Sequence, residues 1–364
     1  MRTRVLALGV LLLCSCKGGS SSGSAATTAS VSASSVPAAA SAEGPIPFGG
    51  PRLYVSNEGA GAVTVIDAAG RKVLRTVPVG KRPRGIQASP DGKTIYLALS
   101  GSPPQGPGAP SGPKPPADRA ADGIAVFDGV SLTVTGKLPS GPDPEQFALT
   151  ADGTKIYVSN EDASAASIID VPGKAVKTAI KVDEEPEGVN LSPDGKWVYV
   201  TCEDANSVNV IDTASGAVTV KLKVGDRPRS TGFLPDSSRA YVASETGSSI
   251  AVVSLPKHTL EKTIKLDGGA VRPMGVAVAP DGKRVYVTTG HAGQVIVIDT
   301  EKNEVAGKIQ VGGRPWGIAI AKDGKTLYTA NGTTDDVSVV DVAEQKEVAR
   351  IKVGGRPWGI TYVP

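Results

Sequence analysis

From residue 52 onward the chain is written in short apolar runs broken by turn residues, and the runs return in a fixed order. One run carries Tyr-Val, as in Leu53-Tyr54-Val55, and the next ends in Val-Ile-Asp. A third alternates, as in Lys346-Glu347-Val348-Ala349-Arg350-Ile351-Lys352-Val353. A fourth opens on proline, as in Arg314-Pro315-Trp316-Gly317-Ile318-Ala319. Each run predicts one strand, here A (proline-led), B (Tyr-Val), C (Val-Ile-Asp) and D (alternating). Unbroken apolarity in A, B and C predicts strands covered on both faces, and alternation in D predicts an outer edge strand. Between A and B, Pro193-Asp194-Gly195-Lys196 supplies the residue types of a tight turn.

The period of this pattern fixes the architecture. The tyrosines fall at Tyr54, Tyr96, Tyr157, Tyr199, Tyr241, Tyr286 and Tyr328, in steps of 42, 61, 42, 42, 45 and 42 residues. A repeat near 40–45 residues, with four strands in each, predicts an all-β fold, a seven-bladed β-propeller. The repeats start on strand B at Leu53 and end on an unmatched strand A at 356–362. The last blade is therefore expected to be closed by the N-terminal strands plus the C-terminal strand, which removes an exposed edge. The long step contains a 19-residue insertion at about 102–120, running Pro103-Pro104-Gln105-Gly106-Pro107 and onward. That Pro/Gly-rich composition predicts a disordered excursion on the same face as the other loops.

Aligned on the tyrosines, an acid recurs 13 residues later at Asp67, Asp170, Asp212, Asp299 and Asp341, and after the insertion at Asp128. Its recurrence predicts a blade-building role, accepting backbone hydrogen bonds at the C–D turn. In a propeller the start of strand A and the B–C loops meet around the mouth of the central channel. Before the strand-A prolines stand Arg82, Asp143, Glu185, Arg227, Arg272, Arg314 and Arg356; after them stand Arg84, Glu145, Glu187, Arg229, Met274, Trp316 and Trp358. Glycine usually comes next, where strands crowd toward the axis. The B–C loops add Glu58, Glu161, Glu203 and Glu245, with Asp162, Asp204 and His291 beside them. The mouth is thus divided into an acidic side (Asp143, Glu145, Glu185, Glu187) and a basic side flanked by Trp316 and Trp358. Arg offers two-pronged contacts to carboxylate and Trp a stacking face, so a funnel for a small polar ligand with an acidic or aromatic part is expected. The competing reading pairs these arginines and acids around the ring to hold the blades together.

Composition narrows the remaining chemistry. The net charge is +3 with acids and bases interspersed, so no basic stripe points to nucleic acid. Two histidines exclude a multi-histidine metal centre. Six loop carboxylates could hold a hard divalent cation, but no Asp-x-Asp-x-Asp spacing supports one, and no metal or cofactor is assigned. His291 with Glu203 or Glu245 is the one acid–base pairing on offer. His258 is read as a surface residue of an outer strand, and Cys202, the one cysteine of the folded part, as a packed thiol. The domain is expected to be monomeric.

The first residues read as a targeting segment. Arg2 and Arg4 precede a short apolar stretch from Val5 to Leu13, and then Leu13-Cys14-Ser15-Cys16. This resembles the bacterial lipoprotein signal, with residues 1–15 removed and Cys16 as the lipid acceptor, which implies a protein anchored in the cell envelope; by the same resemblance Lys17 implies sorting to the outer membrane. Residues 16–48, mostly Gly, Ser, Ala and Thr, then form a flexible tether. The propeller occupies 49–364.

The unit Tyr-Val-Ser-Asn … Val-Ile-Asp … Val-Gly-x-x-Pro-x-Gly-Ile … Pro-Asp-Gly resembles the YVTN family of β-propeller repeats over residues 52–364. The chain is also similar to the pyrroloquinoline-quinone-dependent catabolism-associated propeller proteins. Pro139-Ser140-Gly141-Pro142-Asp143-Pro144-Glu145, Glu185-Pro186-Glu187-Gly188, Arg227-Pro228-Arg229 and Arg356-Pro357-Trp358-Gly359 carry that similarity. It implies an exported protein; the link to the quinone is one of gene setting and brings no cofactor. The expected function is a binding or scaffold module for a small polar ligand or an envelope protein. The alternative is a lactonase-like hydrolase using a metal or the His/Glu pair on the same face.

Overall fold

The computed structural model describes residues 49–103, 115–269 and 271–364. The leader, the tether, Cys16 and most of the insertion lie outside these residues.

Twenty-eight strands form seven antiparallel sheets of four strands each. Six sheets are continuous in sequence; they begin at Pro83, Pro144, Pro186, Pro228, Pro273 and Pro315 and are called blades 1 to 6. Blade 7 is composite. Its strand A is Pro357–Val363, and its strands B, C and D are Arg52–Asn57, Ala62–Asp67 and Lys72–Pro78. Across the closing pair Tyr54 faces Thr361 and Val55 faces Ile360. The seven blades and their closure are those the repeat predicts. Every strand A starts on its proline, where the missing N–H costs no ladder bond.

Single blades have no core of their own. Seven apolar clusters hold the ring, each shared by two neighbouring blades and each built around one motif tyrosine. The tyrosine hydroxyl can then reach the C–D turn of the following blade. Tyr54 donates to the Gly129 carbonyl at 3.2 Å and Tyr241 to Asn303 Oδ1 at 2.6 Å. This explains a correction. His258 is not a surface residue: it sits in the C–D turn of blade 4, only 9% exposed, with Nδ1 3.0 Å from the Tyr199 hydroxyl. Its ring also stands edge-on to Trp197 at 4.4 Å, and burial lowers its pKa.

Five of the six repeated aspartates cap their C–D turns, while Asp170 instead lies 3.4 Å from Lys177 Nζ. Asp67 Oδ1 accepts from the N–H groups of Ala69 and Gly70 at 3.1 and 3.0 Å, and Asp128 Oδ1 from those of Val130 and Ser131 at 2.8 Å. Cys202 is fully buried, and desolvation pushes its thiol up to about 12, which makes it an inert packed group.

Candidate functional site

The funnel is positioned by one backbone device used in every blade. The residue before each strand-A proline has positive φ: Arg82 41°, Asp143 52°, Glu185 49°, Arg227 58°, Arg272 56°, Arg314 52° and Arg356 55°. Non-glycine residues rarely adopt this region. In six blades its carbonyl accepts the N–H of the B–C loop residue four after the tyrosine, as from Glu245 to Arg227 at 2.8 Å and from Gly290 to Arg272 at 2.7 Å. In blade 1 the N–H of Ser100 instead goes to the Lys81 carbonyl at 3.2 Å. The loop acids and the pre-proline side chains therefore start from locked backbones on one face.

Those side chains enclose a funnel of about 1250 Å³. Arg82, Arg84, Glu187, Arg227, Arg229, Arg272, Arg314, Trp316, Arg356 and Trp358 line it, as do Glu58, Glu161, Glu203, Glu245 and His291. Glu145 does not line it; it is fully buried. Glu187, Arg229, Met274, Trp316 and Trp358 also line the narrower central channel, of about 330 Å³, so these residues form the floor between the two spaces.

A simple rule governs the charges: a pre-proline residue faces the B–C loop of the preceding blade. Arg82 meets Glu58 at 3.4 Å, Arg227 donates from Nε to Glu203 at 2.6 Å, and Arg272 lies 3.6 Å from Glu245. The floor arginines add to these pairs. Arg84 binds Glu58 at 2.9 Å and also Glu145, and Arg229 binds Glu245 at 2.6 Å, Glu187 at 3.5 Å and also Glu203. Apart from Arg229–Glu245, which lies within blade 4, these contacts cross blade boundaries and close the joints between blades.

Where the preceding loop carries glycine, the rule leaves an arginine open. The loop residues of blades 5 and 6 at this position are Gly290 and Gly332. Among the described residues, Arg314 and Arg356 have no carboxylate within 4 Å, unlike the other five arginines of the two rings. The Arg314 guanidinium stacks on Trp316, 5.0 Å from the ring centroid, and Arg229 flanks the same ring at 5.3 Å. Burial, followed by the charge of Arg356, lowers the pKa of Arg314.

The same rule sets acid against acid on the other side. Glu185 of blade 3 follows Glu161 of blade 2, and no arginine stands between them in the sequence of ring positions. Burial, then the charges of Glu187 and Asp143, push the Glu161 carboxyl up to about 7. Burial and then Asp204 raise that of Glu185. Asp143 accepts a hydrogen bond from the hydroxyl of Ser100, in blade 1. The described feet of the insertion end at this corner: Arg82 Nη1 donates to the Ser102 carbonyl at 2.6 Å, Ser102 Oγ to Asp162 at 3.0 Å, and Arg119 pairs with Asp162.

Two structural groups that steer the floor carry no charge. The hydroxyl of the third residue of the Tyr-Val-Ser-Asn motif links adjacent inner strands. Ser56 Oγ accepts the Gly359 N–H at 2.9 Å and donates to the Arg84 carbonyl at 2.6 Å. Thr288 Oγ1 does the same between the Gly275 N–H at 2.9 Å and the Trp316 carbonyl at 2.8 Å. Ser159 and Thr201 repeat the bridge to Glu187 and Arg229. A hydroxyl at this spacing in several repeats was the available signal. The glycine that follows Glu187, Met274, Trp316 and Trp358 answers the same crowding: a Cβ on Gly317 would lie 2.6 Å from the Trp358 carbonyl oxygen.

The ring of seven four-stranded blades defines the protein class, a seven-bladed β-propeller. The chain belongs to the choice-of-anchor I domain family, whose model matches residues 24–226, just over half of its length. The model described as "Lactonase, 7-bladed beta-propeller" matches residues 189–352. No curated protein matches the chain significantly. Among solved structures it is similar to Kuenenia stuttgartiensis hydrazine synthase, with 23% identity, a TM-score of 0.63, and coverage of 76% of this chain and 88% of that one. It is also similar to a Bacteroides uniformis protein named "putative 6-phosphogluconolactonase", with 18% identity, a TM-score of 0.69, and coverage of 86% and 99%. A functionally unknown protein from Desulfotomaculum acetoxidans gives 15% identity and a TM-score of 0.70 over 85% and 98%. At these identities the likeness is one of fold.

Proposed function

We propose that this propeller is a binding module for a small ligand that carries a carboxylate or phosphate beside a planar or apolar part. The observation that carries the reading is the pair of open arginines, Arg314 and Arg356, next to the indoles of Trp316 and Trp358. An anion there gains charge-assisted hydrogen bonds from guanidinium groups that have no protein carboxylate to give up. The adjacent indole faces accept the remainder of the ligand. The leader pattern ending at Cys16 supports a lipid-anchored protein of the bacterial envelope, held by the tether with its funnel free. A thermal-shift and calorimetric screen of the full chain with inorganic phosphate, benzoate and 6-phosphogluconate tests the reading. Saturable binding that vanishes in Arg314→Ala and in Trp316→Ala is expected. Binding unaffected by both substitutions would refute it.

The lactonase family match over residues 189–352 favours a second reading, lactone hydrolysis in the same funnel. The structure shifts the candidate base for that chemistry. Glu203 and Glu245 are each held by arginines, whereas Glu161, with its carboxyl near 7, is half ready to accept a proton at neutral pH. Hydrolysis of 6-phosphogluconolactone that is lost in Glu161→Gln and kept in His291→Ala would select this reading; no turnover by the wild type would remove it.

A further inference from the structure

We infer that Asp143 and Glu161, at the acidic side of the funnel, form with the buried Glu145 a binding site for one hard divalent cation. The three side chains come from two short stretches of blade 2, the turn into strand A and the B–C loop, which the Glu161 N–H to Asp143 carbonyl bond at 3.0 Å holds together. One carboxylate oxygen from each lies within 4.8 Å of the others. That spacing suits three oxygens sharing an ion of the calcium, manganese or magnesium type, each at a little over 2 Å from the metal.

An acidic cluster alone would say little. The second observation is the state of Glu145. Its side chain is fully buried, one oxygen is taken by Arg84, and the other, Oε1, has no hydrogen-bond partner. A buried carboxylate oxygen without a partner is costly unless something else satisfies it, and few groups but a cation can do so among two further carboxylates. The local charges agree. The cations facing the cluster are Arg84, engaged by Glu58 and Glu145, and Arg82, 3.9 Å from Asp143 and engaged by Glu58. Against them stand Asp143, Glu145, Glu161 and the neighbouring Glu187 and Glu185.

Oxygen-only donors select hard cations over zinc or copper. Three protein oxygens leave the rest of the coordination sphere to water from the funnel, a pattern associated with moderate affinity. The corner belongs to blade 2 and Arg314 and Arg356 to blades 6 and 7, with Arg84 of blade 1 between them.

Calorimetric titration of the full chain with Ca²⁺, Mn²⁺ and Mg²⁺, after stripping with EDTA, tests the inference. One-site saturable binding is expected for at least one of the three, with a rise in melting temperature of about 3–5 °C at a hundredfold excess over Kd. Glu161→Gln and Asp143→Asn should each weaken binding at least tenfold. In EDTA, Glu161→Gln should melt no lower than the wild type, which separates loss of a ligand from loss of fold. Arg314→Ala should bind the cation as the wild type does. Absence of saturable binding up to about 10 mM of any of the three ions overturns the site. So does unchanged affinity in both carboxamide variants.

Discussion

Trp316 and Trp358, from neighbouring blades, stand with ring centroids 5.5 Å apart and planes inclined by 37°. The backbone of each is fixed by its neighbours rather than by its own strand. The Trp316 carbonyl receives the Thr288 hydroxyl from blade 5, and the Trp358 carbonyl presses on Gly317 of blade 6. Arg314 lies over one face of the pair and Arg84 approaches Trp358 at 5.8 Å. The two indoles are thus placed by the stagger between blades, and that stagger can be perturbed at a distance from them.

Thr288→Val provides such a perturbation. It keeps the volume but removes the hydroxyl, leaving the Gly275 N–H and the Trp316 carbonyl without their shared partner in a fully buried setting. A loss of about 2 kcal/mol is expected in urea unfolding, with a changed tryptophan emission maximum in the folded state. A spectrum and midpoint equal to wild type would contradict the bridge.

The two kinds of ring arginine should respond in opposite ways to truncation. Arg229→Ala strands Glu187 and leaves Glu203 and Glu245 only their more exposed partners Arg227 and Arg272, so about 2–4 kcal/mol of stability should be lost. Arg314→Ala strands no carboxylate and removes a half-buried cation, so its unfolding midpoint should stay within about 0.5 kcal/mol of wild type or rise. Equal destabilisation by both would mean that Arg314 also serves the joints between blades.

Ring closure is testable at blade 7. Ile360 is 7% exposed and packs against Val55 and Leu53 in the cluster between blades 6 and 7. Ile360→Ala should cost about 2–4 kcal/mol. Removing residues 356–364 uncovers the whole edge of Arg52–Asn57, and the product should aggregate or unfold. A monomeric truncation with an unchanged melting temperature would refute the closure.

Glu161 predicts a pH dependence whose sign is fixed. Its folded pKa, about 7, lies above the ordinary 4.5, so the folded state holds the proton more tightly than the unfolded one. Its contribution to stability therefore falls as pH rises from 4.5 to 7, and its full penalty applies above that. Glu161→Gln removes the penalty. In EDTA the variant should exceed the wild type by up to about 3 kcal/mol near pH 8 and match it below pH 4.5. Chemical denaturation at the two pH values measures the difference, and a gap that is independent of pH would rule out the assignment.

Much of this molecule was legible because each blade repeats the same local chemistry. The tyrosine spacing gave the blade count, and the unmatched strand A at 356–362 gave the closure. The positions of the prolines placed their flanking residues on one face. What could not be read depended on the offset between sheets. His258 looked like an outer-strand residue because its own blade offers it nothing; its partners, Trp197 and Tyr199, belong to the blade before. The depth of Glu145 and the reach of Thr288 are of the same kind. Local periodicity carries no information on which side chain of the next sheet will stand opposite.

The seven left-handed turns before the strand-A prolines carry a further consequence. Glycine would suit that backbone better than any of the residues present, since it alone adopts positive φ without a steric penalty of about 1 kcal/mol. The backbone there does not call for a charged residue, so each side chain is a fitting on a common socket, set by what it meets across the mouth. Arg82, Arg227 and Arg272 meet acids of the preceding blade, whereas glycine at Arg314 or Arg356 would redraw the electrostatic map of the mouth without breaking an ion pair between blades.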